Sequence, residues 1–432
     1  MTRRSIESAG SAPLELTIDS LGAGGDGIAH EGARRVFVPF TLPGERVRAV
    51  IDEDTAEGAR ARLVELLTAA PERAAPPCPH FGTCGGCALQ HLDDGLYAQI
   101  KTARLVDALA TRGLRDVPLE PLVRVPPRSR RRVRLAAVAR RGVVSLGFRA
   151  ARGRTIIDLA VCPIMTPAIE AAMAPLREAL GPALKGGAEI EIAITETDNG
   201  LDVVLAGLDP GSSERRATLA TLAHELRLAR LSVAATGTRL AEPVAVLADP
   251  TIRFAGVPVT LPPDAFVQAT AAGEAAIVAR LLDAAKGARR AADLYGGLGA
   301  LGLALARAGL KVEAFDSAPE TVAALQAALR RANFGDRLGA TRRDLARAPL
   351  DASALDKFDL VVFDPPRAGA AAQAARLAAS RVPCVVAVSC NPATFARDAR
   401  LLIDGGYRPE RAIPLDQFLW SPHIEIIAVF RR

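Results

Sequence analysis

The last part of the chain alternates between short apolar strands and helical stretches, and this alternation restricts the fold more than any other feature. The strand-like runs are RRAADLY, KVEAFD, FDLVVFDPP, PCVVAVSC and EIIAVFRR, with Ala-rich helical segments between several of them. Such repeats form a doubly wound parallel sheet. We therefore predict an α/β domain over residues 263–432. Ligands of these sheets bind at the carboxyl ends of the strands, so chemistry is expected there.

A glycine-rich loop follows the first strand of this domain. Gly297, Gly299 and Gly302 satisfy G-x-G-x-x-G directly after "DLY", and Asp316 ends the next strand. Glycines let the backbone approach a ligand closely, and an acidic residue at this position can accept hydrogen bonds from a ribose diol. The pattern predicts a nucleoside cofactor, and both NAD and S-adenosylmethionine fit it.

Two further strand ends carry reactive groups. "DLVVFDPPR" ends in a rigid turn that presents the carboxylate of Asp364, and "VVAVSCNPATFARD" places Cys390 between a strand and a helix. A helix N-terminus lowers the pKa of a nearby thiol, so we expect a lowered pKa for Cys390. The alternative is an inert buried thiol, which is our interpretation of Cys384 on the same strand.

A thiol and a carboxylate at neighbouring strand ends suit methyl transfer to carbon better than hydride transfer. Pyrimidine C5 is a poor nucleophile until a thiolate adds to C6, and a base must afterwards remove the C5 proton so that the thiol can leave. "SPHIEIIAVF" places His423 and Glu425 just before the final strand, and Glu425 is the candidate base. The alternative is that Glu425 is a surface residue of that strand.

The preceding sequence predicts two more domains. Short alternating strands between residues 14 and 68, separated by Gly-rich turns, indicate a small β-barrel. A Pro-rich stretch marks a boundary near residue 75, and a mixed α+β region follows it. We predict a barrel over 10–70, a middle domain over 75–262 that includes a helix at about 94–120, and the α/β domain over 263–432.

Three cysteines, Cys78, Cys84 and Cys87, form a C-x5-C-x2-C pattern, and Cys162 lies farther along the chain. In a cytosolic protein such cysteines predict metal binding rather than disulfides. Four thiolates suit zinc as well as an iron–sulfur cluster, but the long first spacing and the lone fourth cysteine favour the cluster.

The formal net charge is +6, from 54 basic and 48 acidic residues, and "RVPPRSRRRVR" places six Arg within residues 124–134. Arginine binds phosphate, so this run is either a nucleic-acid contact or a solvated loop with an edge strand. No apolar run is long enough to span a bilayer, and the first residues lack the apolar stretch of a signal peptide. We expect a cytoplasmic monomer without a membrane partner.

Four motifs taken together resemble the RNA 5-methyluridine methyltransferase family. They are DPPR at 364–367, SCNPATFARD at 389–398, FVQAT at 266–270 and HIE at 423–425. The resemblance covers nearly the whole chain. It implies a Rossmann-like class I methyltransferase domain, an N-terminal OB-like barrel of the TRAM type that binds RNA, and an α+β middle domain. It also implies that the helix at about 94–120 packs on the catalytic domain.

The resemblance assigns roles to individual residues. It implies that Cys390 is the nucleophile, that Glu425 is the proton-abstracting base, and that S-adenosyl-L-methionine is the methyl donor. The residues implied to hold this cofactor are Gln268, Tyr295, Asp316 and Asp364, with Asp344 as a further candidate near the adenine. Cys78, Cys84, Cys87 and Cys162 are implied to hold a [4Fe-4S] cluster of structural role. Ala300 stands where the family usually has Asn, so one side-chain contact to the cofactor is expected to be missing.

The function implied by the resemblance is C5 methylation of a uridine in RNA, with 23S rRNA as the expected substrate and tRNA as the alternative. Two hypotheses from other classes compete with it. An NAD-dependent iron–sulfur oxidoreductase would give Cys390 no role, and a non-catalytic RNA-binding protein would use the barrel and the Arg run on an inactive enzyme fold.

Overall fold

The computed structural model describes residues 12–22, 24–184, 187–209, 211, 213–238 and 241–432. The predicted start of the barrel at residue 10 lies outside the described residues. The chain forms two compact units. The first contains the chain up to Arg104 together with Trp420–Pro422, and the second contains Leu105–Leu419 and His423–Arg432.

The first unit contains the predicted barrel. Its six strands are β1 Leu14–Thr17, β2 Ser20–Leu21, β3 Gly27–Glu31, β4 Arg34–Val38, β5 Arg46–Thr55 and β6 Gly58–Thr68, in the order β1-β5-β6-β4-β3-β2. Alternate residues of these strands face a core that includes Leu16, Val36 and Val47. The pairing of β5 with β6 contains three register shifts, and such bulges increase strand twist so that the sheet can curl on itself.

Helix α1, Asp94–Ala110, follows the cysteine-rich segment and is shorter than predicted. Its last six residues belong to the second unit, where Leu105 and Leu109 pack in one hydrophobic core with Leu294 and Phe363 of the catalytic sheet. The last part of the predicted helix is partly extended instead, since Leu119 forms a β-bridge with Ala412. The chain then forms the two-residue strand β7, Val123–Arg124.

The middle region of the second unit is a six-stranded sheet with two helices against it. Its elements are β8 Arg132–Arg140, β9 Val143–Gly147, α2 Pro167–Ala183, β10 Glu189–Thr197, β11 Gly200–Ala206, α3 Ser213–Glu225, β12 Arg230–Ala234 and β13 Glu242–Val246. The strand order is β13-β12-β11-β10-β8-β9, and only β11 and β12 pair in parallel. This is the predicted α+β region. A hairpin of β14 Thr251–Phe254 and β15 Val257–Thr260 leads from it into the catalytic sheet.

The catalytic region alternates strands and helices as predicted. Its elements are α4 Ala271–Ala284, β16 Arg290–Leu294, α5 Ala300–Arg307, β17 Lys311–Asp316, α6 Pro319–Arg331, β18 Leu338–Arg342, α7 Ala352–Leu355, β19 Leu360–Phe363, α8 Ala371–Ala378, β20 Cys384–Ser389, α9 Pro392–Asp404, β21 Arg408–Asp416 and β22 Glu425–Arg431. They form one eight-stranded sheet in the order β18-β17-β16-β19-β20-β22-β21-β7.

Apolar residues cover both faces of this sheet. On β20, Val386 and Val388 face one hydrophobic core and Val385 and Ala387 face the other. A strand buried on both sides loses the polar alternation of a half-exposed strand, which is why the run VVAV is continuous. The fold is therefore α/β, with a Rossmann-like catalytic domain.

The sheet is not wholly parallel, which corrects the sequence-based expectation. Strand β22 lies between β20 and β21 and runs antiparallel to both. The eight residues between β21 and β22 allow the chain to return alongside β21, and the last strand thus enters the sheet from the edge where the parallel strands end. Within the described part of the chain, no helix is long and apolar enough to cross a membrane.

Candidate active site

Four predicted site residues lie at one edge of the catalytic sheet. Tyr295, Asp364 and Cys390 directly follow β16, β19 and β20, which are adjacent parallel strands. Glu425 is the first residue of β22, and because that strand is antiparallel its start lies at this same edge. The register of β20 and β22 places Glu425 beside the strand end that carries Cys390.

A cleft opens next to the glycine loop. Gln268, Tyr295 and Asp364 line this cofactor cleft, and Phe266 and Leu298 add apolar surface. Three of the four residues predicted to hold the cofactor therefore surround one cavity.

Asp316, the fourth, fixes the glycine loop and does not line the cleft itself. Its Oδ2 accepts a hydrogen bond from the Gly297 N–H at 3.0 Å, and its Oδ1 accepts one from the Ala318 N–H at 2.9 Å. Gly297 does line the cleft, so Asp316 is one residue removed from it. Asp344 is exposed and accepts hydrogen bonds from two backbone N–H groups of the turn that follows it.

Asp293 is a cleft residue that the sequence analysis did not assign to the site. It is fully buried, its Oδ2 accepts a hydrogen bond from the Gly302 N–H at 2.7 Å, and its Oδ1 has no hydrogen-bond partner among the described residues. Burial raises the pKa of Asp293 to about 7, and the Gly302 N–H opposes the rise. A Cβ on Gly302 would lie 2.8 Å from Oδ2, so the last glycine of the motif gives this carboxyl its room.

Tyr295 has a backbone conformation that is rare for a residue with a side chain. Its φ is 61°, in the left-handed region. Such outliers persist where the surrounding structure enforces them, and they concentrate at ligand sites. Burial, together with the charges of Asp398 and Asp344, raises the pKa of the Tyr295 hydroxyl to about 12, so this group is a neutral donor at physiological pH.

Two buried amides connect the two predicted carboxylates. Gln268 Nε2 donates to Asp364 Oδ2 at 2.7 Å, and Gln417 Nε2 donates both to Gln268 Oε1 at 2.8 Å and to Glu425 Oε2 at 2.7 Å. Gln268, Gln417 and Glu425 are at most 8% exposed, and the alternative of a surface role for Glu425 is therefore wrong. The four side chains form one hydrogen-bond chain, which we call the carboxylate–amide chain.

Both carboxyl groups of this chain favour the protonated form more than ordinary carboxyls do. Burial raises the pKa of Asp364 to about 6, and the hydrogen bond from Gln268 opposes the rise. Burial and the nearby charge of Asp364 raise the pKa of Glu425 well above its ordinary value, opposed by the hydrogen bond from Gln417. Buried carboxyls with raised pKa values are typical of general acid and base groups.

The prediction of a lowered pKa for Cys390 is wrong for the protein without ligands. Burial raises the pKa of the Cys390 thiol to about 11, and the charges of Glu425 and Asp364 add to the rise while Arg367 opposes it. Burial, with the two carboxylates at the same sheet edge, thus outweighs the N-terminus of α9. Cys384, by contrast, is 3% exposed in the hydrophobic core and has the surroundings predicted for an inert thiol.

Asn391 fixes the turn that carries Cys390. Its side-chain oxygen accepts a hydrogen bond from the Ala393 N–H at 3.1 Å and so caps α9, and its Nδ2 donates to the Arg367 carbonyl at 3.0 Å. The second bond ties the turn after β20 to the Asp364-Pro365-Pro366 turn after β19. The two reactive strand ends are therefore held as one unit.

Most arginines of the Arg run form ion pairs with carboxylates of the second unit. Arg128 pairs with Glu170, Arg131 with Glu274, and Arg132 and Arg134 with Asp264. These pairs favour a structural role for most of the run over a surface that waits for phosphate. Arg132 also lies over the ring of Phe266, which is 66% exposed at the rim of the cofactor cleft.

The four metal-site cysteines are divided between the two units. In the first unit, Cys78, Cys84 and Cys87 lie in one loop, and the Gly86 N–H donates to the Cys84 Sγ at 3.4 Å. Cys162 lies in the second unit and is 8% exposed. Among the described residues, no group of three or more His, Cys, Asp or Glu side chains is arranged to hold a metal ion.

Gln417 is the site residue whose role was hardest to predict from sequence patterns. It stands one residue after β21, in a segment without a glycine motif or a charge cluster. Its only signal is an amide two residues after a proline-containing apolar run, eight positions before Glu425, and that signal is common in proteins. Phe266 could have been predicted from the sequence, since it is the first residue of the FVQAT motif.

Comparison with known proteins identifies the family. The family model described as tRNA (Uracil-5-)-methyltransferase matches residues 257–432, and the TRAM domain model matches residues 13–64. An uncharacterized RNA methyltransferase of Brucella suis is 43% identical over 418 residues, which cover 97% of this chain and 98% of that protein. The 23S rRNA (uracil(1939)-C(5))-methyltransferase RlmD of Edwardsiella ictaluri is 34% identical over 96% of this chain and 95% of its own length.

A solved structure shares the fold over nearly the whole chain. The tRNA (uracil-54, C5)-methyltransferase of Pyrococcus abyssi, in complex with S-adenosyl-L-homocysteine, superposes with a TM-score of 0.75 over 96% of this chain and all of that one, at 22% identity. These matches remove the hypotheses of an NAD-dependent oxidoreductase and of a non-catalytic RNA-binding protein. The chain therefore belongs to the RNA (uracil-5-)-methyltransferase family and carries the TRAM domain at its N-terminus.

Proposed function

We propose that this protein methylates C5 of one uridine in 23S rRNA, with Cys390 as the nucleophile and Glu425 as the base. The observation that carries the proposal is the position of a half-buried thiol and a buried carboxyl on neighbouring strand ends, at the sheet edge where Asp364 lines a cleft. S-adenosyl-L-methionine supplies the methyl group when it is bound. The remaining steps use side chains of this chain.

The reaction begins when the Cys390 thiolate adds to C6 of the uracil ring, forming a C6–S bond and making C5 nucleophilic. After C5 has gained its methyl group, Glu425 removes the remaining C5 proton. The electrons of the C5–H bond form the C5–C6 double bond, the C6–S bond breaks, and the sulfur leaves as thiolate. The raised pKa of Glu425 suits this step because a more basic carboxylate accepts a proton more readily.

The cofactor would be held by Gln268, Tyr295 and Asp364 in the cleft and by Asp316 through the glycine loop. The fit is supported by the orphaned, buried Oδ1 of Asp293, which lines the cleft. A carboxyl oxygen without a partner suits a cationic or N–H group of a ligand, because burial without a hydrogen bond is costly. Ala300 lines the same cleft and offers no polar atom there.

The choice of 23S rRNA rests on similarity rather than on geometry. RlmD of Edwardsiella ictaluri, named for 23S rRNA, matches this chain from end to end, and the chain carries a TRAM domain. Transfer RNA is the second candidate, because the matching family model and the Pyrococcus abyssi enzyme are both named for tRNA. Both candidates require the same chemistry at C5.

We also propose that Cys78, Cys84, Cys87 and Cys162 hold a [4Fe-4S] cluster. The donor set is four thiolates, and the N–H of Gly86 directed at the Cys84 sulfur is a contact that tunes cluster thiolates. The role of the cluster would be structural, because methyl transfer requires no electrons.

The reaction is tested with RNA that contains 5-fluorouridine. Fluorine at C5 leaves no proton to remove, so the enzyme should stay covalently attached to the RNA through Cys390. We expect a denaturation-resistant adduct for the wild type, none for Cys390→Ala, and a normal amount for Cys384→Ala as the matched control. An adduct in Cys390→Ala, or none in the wild type, refutes the mechanism.

The base and the substrate need separate measurements. Glu425→Gln should accumulate a covalent adduct with ordinary uridine RNA, because elimination fails after methyl transfer; rapid turnover in this variant would exclude Glu425 from the role. Mapping of 5-methyluridine in rRNA and tRNA, with and without this protein, decides between the two substrates. A change confined to tRNA would overturn the choice of 23S rRNA.

A further inference from the structure

Gln417 occupies the centre of the carboxylate–amide chain. It is 2% exposed, and its one amide nitrogen donates to Gln268 at 2.8 Å on one side and to Glu425 at 2.7 Å on the other. No role at the site follows for Gln417 from the motifs or from the family resemblance. A buried amide that uses both of its hydrogens within the site is nevertheless an expensive group to bury without a purpose.

We propose that Gln417 is a positioning residue that orients Glu425 for proton abstraction and links it to the cofactor cleft through Gln268. This inference rests on the proposed role of Glu425 as the base. Gln417 does not touch the reacting atoms. It determines which oxygen of Glu425 meets the uracil ring and keeps that carboxylate ionised enough to act.

The direction of the hydrogen bonds in the chain is fixed from the Asp364 end. A carboxylate accepts hydrogen bonds, so Gln268 must present its Nε2 to Asp364 and its Oε1 to Gln417. Gln417 must then present its Nε2, and the same nitrogen is left with one hydrogen for Glu425. The amide orientation of Gln417 thus follows from the network and not from an arbitrary choice between nitrogen and oxygen.

The two oxygens of Glu425 consequently differ. Oε2 accepts the hydrogen bond from Gln417, whereas Oε1 is buried and has no hydrogen-bond partner among the described residues. The geometry therefore assigns Oε1 as the atom that receives the C5 proton. After the transfer, Oε2 can keep its hydrogen bond, so Glu425 does not have to reorient within the reaction.

Space for this arrangement is provided by Gly273 in the first turn of α4. A Cβ at this position would lie 2.8 Å from Gln417 Oε1 and 2.9 Å from Gln417 Cβ, closer than such atoms approach in proteins. The Gly273 N–H is used by Thr270, which caps the helix. The first turn of α4 and the side chain of Gln417 are therefore packed closely together. Such close packing is expected if the reaction depends on the position of Gln417.

The test compares Gln417→Met with the wild type. Methionine keeps the length and approximate volume but donates no hydrogen bond. A hydrogen bond to a charged group in a buried site accounts for about a ten- to hundredfold difference, so we expect kcat to fall by about that factor at neutral pH. The KM for S-adenosylmethionine should change less than kcat, because Gln268 remains attached to Asp364.

The pH profile separates positioning from general damage. Burial and the charge of Asp364 raise the pKa of Glu425, and the hydrogen bond from Gln417 lowers it. Glu425 in turn raises the pKa of the Cys390 thiol, which Arg367 lowers. Loss of the Gln417 donor removes a contact that favours the ionised form of Glu425. The acidic limb of kcat against pH should therefore move to higher pH by about one unit or more.

Gln373→Met is the matched control. Gln373 is another fully buried amide of the catalytic domain, and it bonds the backbone of Leu350 with both ends of its side chain. This variant should lose stability but retain the wild-type pH profile. If Gln417→Met folds poorly, Gln417→Leu supplies a second uncharged side chain without a hydrogen-bond donor, and its acidic limb should also move to higher pH.

The outcomes distinguish this inference from the proposed reaction. Cys390-dependent adducts with 5-fluorouridine RNA should form in the wild type and in Gln417→Met alike, because addition does not need the base. If the adduct forms but Gln417→Met keeps the wild-type kcat and pH profile, Gln417 has no positioning role. If no adduct forms even in the wild type, the proposed reaction itself fails.

Discussion

The raised pKa of Cys390 predicts that this thiol reacts slowly as a nucleophile until its surroundings change. The structure raises this pKa from an ordinary 9.0 to about 11, mainly through burial and then through Glu425 and Asp364. A rise of two pKa units corresponds to about a hundredfold less thiolate at neutral pH, or to a free energy of ionisation that is about 2.7 kcal/mol less favourable. The free enzyme should therefore resist alkylation more than an ordinary accessible thiol does.

The assay is the rate of iodoacetamide modification of Cys390 between pH 7 and pH 10. We expect the rate to rise about tenfold per pH unit over this range without a plateau, because only the thiolate reacts. Cys384 and Cys390 fall on one tryptic peptide, so the measurement uses the Cys384→Ala background and mass spectrometry of that peptide.

Glu425→Gln supplies the perturbation. It removes the largest charge effect on the thiol. The pKa of Cys390 should then fall, and the rate at pH 9 should rise several-fold to about tenfold. A wild-type plateau at or below pH 9, or equal rates in the two proteins, would show that the sheet-edge carboxylates do not control the thiol.

Two more predictions concern the cluster and the buried acid of the glycine loop. Cys162→Ser, purified without oxygen, should lose most of its iron and sulfide while Cys384→Ser keeps both; unchanged iron in the first variant would remove Cys162 from the ligand set. Asp293 has a pKa of about 7 in the folded protein against an ordinary 3.8. Between these two values the folded state keeps a proton that the unfolded state releases, so the free energy of unfolding decreases as the pH rises from about 4 to about 7. Asp293→Asn should therefore be more stable than the wild type at pH 8 by about 2–4 kcal/mol in urea denaturation and lose that advantage near pH 4; a difference independent of pH would contradict the assignment.

Much of the fold followed from local patterns. The strand–helix alternation predicted the catalytic sheet, and the short alternating strands predicted the barrel, because both patterns are properties of neighbouring residues. The end of α1 and the antiparallel course of β22 were missed. Both depend on what the segment packs against: Leu119, beyond the end of α1, forms a β-bridge with Ala412 of β21, and β22 lies between β20 and β21.

The candidate site was predicted in its residues but not in its electrostatics. Cys390 at a helix start suggested a reactive thiolate, and this local rule gave the wrong sign. The main reason is that the fold buries the thiol, and Glu425, distant in sequence, enters the same sheet edge and disfavours a second negative charge there. Pairs of this kind cannot be read from spacing, because their distance is set by strand order.

The sequence by itself determined which reactive groups lie next to which strands: the glycine loop, the Asp364 turn and the thiol of Cys390 after three strands, and the carboxyl of Glu425 at the start of the last one. These placements are local, since each depends on a strand ending or beginning at a particular residue. Only the tertiary structure decided how the groups act on one another. The antiparallel β22 brings Glu425 to the thiol, burial raises the pKa values of both, and Gln417 joins Glu425 to the cofactor cleft. Those effects require desolvation and contact between distant segments, which exist only once the chain has folded.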